Sequence, residues 1–160
     1  MGSTNVQIEN YIRANAPNVD FLGVFNENDM PHIATAGGSI IANYGNNSHW
    51  VALINLNAEN GCPTMFFDSF GQKPDTENGI LGTHARFKSY LDRNSKSYIY
   101  NKEELQALDG TECGHYCCLA VISQSIPQHG RNHGTVWKDY CSKYTTPEKN
   151  DEMIRLEIKL

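Results

Sequence analysis

The sequence predicts an α+β domain, on three observations. Amphipathic helical periodicity appears near both ends of the chain, short β-branched and apolar runs lie between them, and one helix-length segment is apolar on every side. Strict strand–helix alternation, the mark of a parallel α/β sheet, is missing.

Thr4 followed by Gln7 matches a capping box, and Ile8, Tyr11 and Ile12 fall on one helical face, so a helix is expected over residues 5–15 and Pro17 ends it. Residues 20–31, DFLGVFNENDMP, carry an apolar cluster into Asn, Asp and Pro, which reads as a short packed segment entering a turn. Gly37 and Gly38 introduce the run SII, and YGNNS is a loop by composition. HWVALINL then reads as a strand and TMFFDSF as a second, joined through NAENGCP. A hairpin follows, with His49 at the start of the first strand and Asp68 near the end of the second at one edge of an antiparallel pair.

Phe87, Tyr90 and Leu91 have helical spacing in residues 83–94, and SYIY at 97–100 is a short strand. The segment 114–126, GHYCCLAVISQSI, is apolar all round, which implies a helix buried at the centre of the domain, with Cys113 at or just before its first turn. Val136, Trp137, Tyr140, Cys141 and Tyr144 fit a further amphipathic helix after the loop QHGRNHG. The last fourteen residues mix charges with scattered aliphatics and suit a docked helix, an added strand or a loose tail.

At 160 residues and 17.9 kDa one domain is expected over 1–160, with the core at about 20–145 and an extension or tail at 146–160. Thirteen Lys and Arg against eighteen Asp and Glu leave a net charge of −5, so no overall positive field draws in nucleic acid or anionic membrane. No apolar stretch approaches the roughly 20 residues that span a bilayer, and MGSTNVQIEN lacks a signal core, so no membrane association and no classical secretion are expected.

Five cysteines form an odd set, three of them within residues 113–118, which favours free thiols in a reducing compartment over a disulfide framework. A cysteine nucleophile needs a base, an orienter for that base and donors for the oxyanion. Cys113 stands before an apolar helix, where unsatisfied amides and the helix dipole favour a thiolate. His49 follows a Gly- and Asn-bearing loop, Asp68 can fix its tautomer, and the carboxamide of Gln106 can fold against the Cys113 amide as an oxyanion hole. Gly114 keeps space open beside the sulfur. Cys117 and Cys118 read as core, and Cys62 has no assigned role.

Each part has a blander reading, since a strand-start histidine is often structural and Asp68 before Ser-Phe-Gly suits a turn. A metal site at Cys113, His115, Cys117 and Cys118 is disfavoured because adjacent helical cysteines diverge by about 100° and no CxxC knuckle is present. His129 and His133 read as solvated loop residues, and His32 and His84 carry no signal.

The set HW plus an apolar strand, then MFFDSFG, then Gln106 seven residues before Cys113-Gly114 with HYCC, resembles the adenovirus-type cysteine proteases (adenain) and their relatives in virophages and Maverick/Polinton elements. The wider group includes the SUMO-deconjugating proteases. The likeness covers roughly residues 20–125. It implies a papain-like fold with a mixed sheet packed on a central helix bearing the nucleophile. It further implies His49 as general base, Asp68 as orienter, Gln106 as oxyanion donor and Cys113 as nucleophile, with Trp50 packed beside the histidine and Gly114 supporting the site. Adenovirus enzymes tend to carry Glu where this chain has Asp68, as the SUMO proteases do.

The expected function is a cysteine endopeptidase that cuts viral or virophage capsid precursors at Gly-containing sites during virion maturation, in the virion and host cytoplasm. Alternatives are an isopeptidase cutting after Gly-Gly and a catalytically silent capsid-associated module. Adenovirus enzymes use a cysteine-linked peptide and DNA as activators. Here no cysteine lies between Cys62 and Cys113 and the chain is acidic, so a monomer working with no cofactor is expected.

Overall fold

The computed structural model describes residues 2–33, 37–44, 49–57, 63–74, 85–124 and 145–160. Five strands, β1 (Phe21–Asn26), β2 (Gly38–Tyr44), β3 (His49–Leu56), β4 (Thr64–Phe67) and β5 (Tyr98–Tyr100), form one sheet in that order. The outer pairs β1–β2 and β4–β5 are parallel and the inner pairs β2–β3 and β3–β4 antiparallel. Four helices are described: α1 (Asn5–Asn15), α2 (Ala85–Asn94), α3 (Cys113–Gln124) and α4 (Pro147–Glu157). The architecture is the expected α+β one with a mixed sheet.

Period-two alternation sorts the strands onto two faces. Ile41, Ala52, Ile54, Met65 and Phe67 point to one side, where they pack with Ile8 and Ile12 of α1, Tyr116, Cys117, Cys118, Ala120 and Val121 of α3, and Ile154 of α4. Ile40, Ala42, Val51, Leu53 and Phe66 point to the other, against Phe87, Tyr90 and Leu91 of α2. Asn55 interrupts the alternation. Its φ of 58° and a register slip between Gly38 and Ile40 form a bulge, after which Leu56 joins the α2 face.

The helix boundaries follow local chemistry. The side chain of Thr4 accepts from the Gln7 amide at 3.2 Å while the Gln7 carboxamide oxygen accepts from the Thr4 amide at 2.9 Å, completing the capping box. The packed segment expected at 20–31 is strand β1, closed by a turn in which Asn26 Oδ1 accepts from the Asn28 amide at 3.0 Å. The second hairpin strand stops at Phe67, before Asp68. Of the three readings of the C-terminal segment, the docked helix is observed: Pro147 fits the first turn and Ile154 enters the core with no exposed area. The helix expected over 136–144 lies outside the described residues, as do residues 83–84, 125–126, Cys62, His129 and His133. No helix among the described residues is long and apolar enough to cross a membrane.

Candidate active site

The antiparallel register Ala52↔Phe67 places His49, the first residue of β3, beside Asp68, the residue after β4. Their side chains meet, with His49 Nε2 2.9 Å from Asp68 Oδ1. Asp68 is an acceptor when ionised, so Nε2 carries the hydrogen and Nδ1 is the nitrogen left for another partner. The Cys113 side chain also interacts with the imidazole.

Asp68 is held on several sides. Its Oδ1 also accepts from the Phe70 amide at 2.8 Å, a local turn that orients the carboxylate. Asn101, just past β5, brackets its backbone: Oδ1 accepts from the Asp68 amide at 2.9 Å, and Nδ2 donates to the Asp68 carbonyl at 2.5 Å. Gly71 closes the turn at φ 73°, donating to the Asp68 carbonyl at 2.8 Å, and a Cβ there would stand 2.8 Å from the Lys102 carbonyl oxygen.

Two rings enclose the imidazole. Phe70 stacks on it at 4.7 Å and 14°, and Tyr44, its cross-strand neighbour, meets it edge-on at 5.6 Å. With His49 1% and Asp68 0% exposed, burial opposes a charged imidazole. The hydrogen bond to Asp68, the interaction with Cys113 and the negative charge on both more than offset it and raise the His49 pKa from 6.5 to about 9. The imidazolium form of His49 is therefore favoured at neutral pH.

Cys113 opens α3, is 6% exposed and has a free thiol. The first backbone bond of the helix runs from the Tyr116 amide to the Glu112 carbonyl at 3.1 Å, so the Cys113 amide precedes the helical ladder. Cys117 and Cys118 sit on the core side with no exposed area; burial raises the Cys117 thiol well above its usual value and pushes Cys118 up to about 12. They are core residues, as expected.

Gln106 lies 1% exposed in the segment leading to α3. Its Oε1 accepts from the Ser69 hydroxyl at 2.6 Å and its Nε2 donates to the Gly110 carbonyl at 2.8 Å, which fixes the plane of the amide. Ser69 also accepts the Leu105 and Gln106 amides on its carbonyl, at 2.8 and 3.1 Å. The segments that carry Asp68 and Gln106 are thus sewn together.

Two expectations change. Trp50 follows His49 along β3, but alternation sends its side chain toward α1, where Nε1 donates to the Ser3 carbonyl at 3.1 Å; the imidazole's ring neighbours are Phe70 and Tyr44 instead. Gly114 has a packing role. A Cβ there would stand 3.1 Å from both Ile8 Cδ1 and Ser3 Cβ, so the glycine admits the N-terminal segment and α1 against α3. The reading missed Asn101, Ser69, Phe70 and Tyr44. Phe70 and Ser69 were signalled by their adjacency to Asp68, whereas Asn101 had no sequence signal. Among the described residues no cluster of three His, Cys, Asp or Glu side chains could hold a metal ion.

No family model matches the chain. Over 77 residues, 47% of this chain, it is 39% identical to a protein of Acanthamoeba polyphaga mimivirus provisionally named as a thiol protease, and spans 24% of that protein's length. The fold is similar to the crystal structure of the ASFV pS273R protease, with TM-score 0.58 at 14% identity, over 96% of this chain and 66% of that one. Its selenomethionine form gives TM-score 0.55, also at 14% identity, over 99% and 68%. The chain thus spans about a quarter of its curated relative and two thirds of these structures. In fold it is similar to a viral protease, and in sequence, over about half its length, to a viral thiol protease.

Proposed function

We propose that the chain is a cysteine endopeptidase in which Cys113 attacks the scissile carbonyl. The observation that carries this is the buried line Asp68–His49–Cys113, with His49 hydrogen-bonded to Asp68 and interacting with Cys113. Asp68 holds the Nε2–H of His49, and the Nδ1 proton of the imidazolium is the one the Cys113 thiol gives up as the thiolate forms. The thiolate adds to the carbonyl carbon, and the oxyanion is met by the Cys113 amide and the second N–H of Gln106 Nε2, the first being committed to Gly110. The imidazolium protonates the leaving amine. Water activated by His49 then releases the acyl-enzyme.

The similarity to proteases encoded by viruses supports virion precursor proteins as substrates, cut next to small residues such as Gly. The test is labelling by a thiol-directed activity probe together with turnover of a fluorogenic Gly-Gly peptide. Cys113→Ala abolishes both and His49→Ala greatly slows both. Gln106→Ala loses on the order of 10²-fold to 10³-fold in kcat. Probe labelling indifferent to His49→Ala would identify a catalytically silent module, and full activity of Gln106→Ala would sink the oxyanion assignment.

A further inference from the structure

Beside the proposed catalytic line, on the α1 side of the sheet, a cleft of about 420 Å³ opens between the N-terminal segment Ser3–Asn5, the end of β1, Asn43 of β2 and Trp50 of β3. The cleft adjoins the catalytic line along the chain, because Trp50 follows His49 and a Cβ on Gly114, next to Cys113, would meet Ser3. Val24 and Trp50, which pack on the α1 face, give the cleft apolar sides.

Asn43 is the anomaly in it. Its neighbours along β2 are Ile40, Ile41, Ala42 and Tyr44, all buried. Asn43 is itself 2% exposed, yet neither its Oδ1 nor its Nδ2 finds a hydrogen-bond partner among the described residues. A buried carboxamide with both ends unmatched destabilises the fold, and an apolar side chain would fit this strand better. Asn43 lines the cleft, opposite its cross-strand partner Trp50.

We infer that this cleft is a substrate subsite in which the Asn43 carboxamide reads a main-chain amide of the bound peptide. A planar carboxamide offers an acceptor and a donor side by side, which is the complement of a peptide unit's N–H and C=O. Trp50 and Val24 flank the chain, and β3 leads the peptide toward His49. This inference rests on the peptidase reading and extends it to substrate binding.

Amide-to-ester scanning tests it. A fluorogenic peptide ending in Gly-Gly before the cut is compared with versions in which one backbone N–H at a time is replaced by oxygen, removing the donor that Asn43 Oδ1 would accept. In the parent protein one ester position lowers kcat/KM about 3-fold to 10-fold, the worth of one hydrogen bond. In Asn43→Ala and Asn43→Leu the all-amide peptide shows a KM higher by a similar factor, and that ester position loses its effect. Thermal stability of at least one of the two variants equals or exceeds that of the parent, because an unmatched carboxamide has been removed.

The same ester profile in parent and variants would overturn the assignment, as would a lowered Tm in both variants with KM unchanged. Absence of turnover in the parent protein would sink the peptidase reading. The subsite is then decided by titrating Cys113→Ala with capped tetraglycine amide while following the Asn43 side-chain ¹⁵N resonance, which shifts saturably if the cleft binds a peptide backbone and stays still if it does not.

Discussion

At the scale of single residues, His49 is governed by two acids that face it from different elements. Its raised pKa means that the folded state binds the proton more tightly than the unfolded chain does. The stability gained is therefore fully present below about pH 6.5 and is lost as pH rises through about 9. The imidazole should titrate near pH 9, with an alkaline limb of kcat/KM at the same place. Asp68→Asn removes the carboxylate's charge and its stronger hydrogen bond, and the midpoint falls. An imidazole ¹³C titration that stays in place in that variant would contradict the account.

Asn101 makes a second prediction at this scale, because it touches the backbone of Asp68 and not the imidazole. Asn101→Ala leaves the buried Asp68 amide and carbonyl short of partners, at a cost of about 1–3 kcal/mol in urea unfolding. It should lower kcat more than it raises KM, since Asp68 loses its bracing while the peptide cleft is untouched. The four proposed chemistry-bearing residues could be singled out in the sequence because nucleophile, base, orienter and amide donor are restricted to few residue types. Asn101 was not legible: an asparagine 33 positions from Asp68 carries no local mark of its partner.

At the scale of elements, α4 braces the segment that carries Gln106. Asp151 accepts from the Ala107 amide at 3.2 Å through Oδ2 and from the Tyr116 hydroxyl at 2.8 Å through Oδ1, joining α4 to that segment and to α3. Asn150 Nδ2 donates to the Leu105 carbonyl at 3.1 Å, and Arg155 pairs with Glu112 at 2.9 Å. Asp151→Ala strands the buried Ala107 amide and leaves the Tyr116 hydroxyl only its longer bond to the Leu105 carbonyl at 3.2 Å, and should cost about 1–3 kcal/mol. Its kcat should fall because Ala107 follows Gln106, whereas Glu148→Ala, an exposed change on the same helix, should leave unfolding within about 0.5 kcal/mol. Equal effects of the two substitutions in thermal unfolding would argue against the bracing role.

The elements themselves were read unevenly. The first helix, the strand HWVALINL and the buried helix at Cys113 emerged with nearly their observed bounds, because capping chemistry, β-branched runs and all-round apolarity are local signals. The C-terminal helix stayed ambiguous since its aliphatics are sparse. Its order comes from Ile154 and Ile158 reaching a core built by other elements, and from polar side chains that find partners 43 to 45 positions away.

At the scale of the molecule, α1 and α4 lie at opposite ends of the sequence, yet Ile8, Ile12, Ile154 and Ile158 share one core with α3. The net charge of −5 has its consequence here as well, since a polyanion meets no overall attractive field. Turnover is expected without added DNA, and duplex DNA at low salt should change kcat/KM by no more than roughly twofold. A requirement for DNA, measured as turnover that begins only on its addition, would place a local basic site on the chain.

The sequence by itself determined the α+β class and the core role of Cys117 and Cys118, and it singled out Cys113, His49, Asp68 and Gln106 as the proposed chemistry-bearing residues. These follow from residue type and from spacing along one segment. Tertiary structure alone decided which rings enclose His49, why Gly114 is a glycine, that α4 braces the Gln106 segment, and that Asn43 is buried without a partner. Each of these depends on a neighbour distant in sequence, and local periodicity carries no information about which distant segment will be packed alongside.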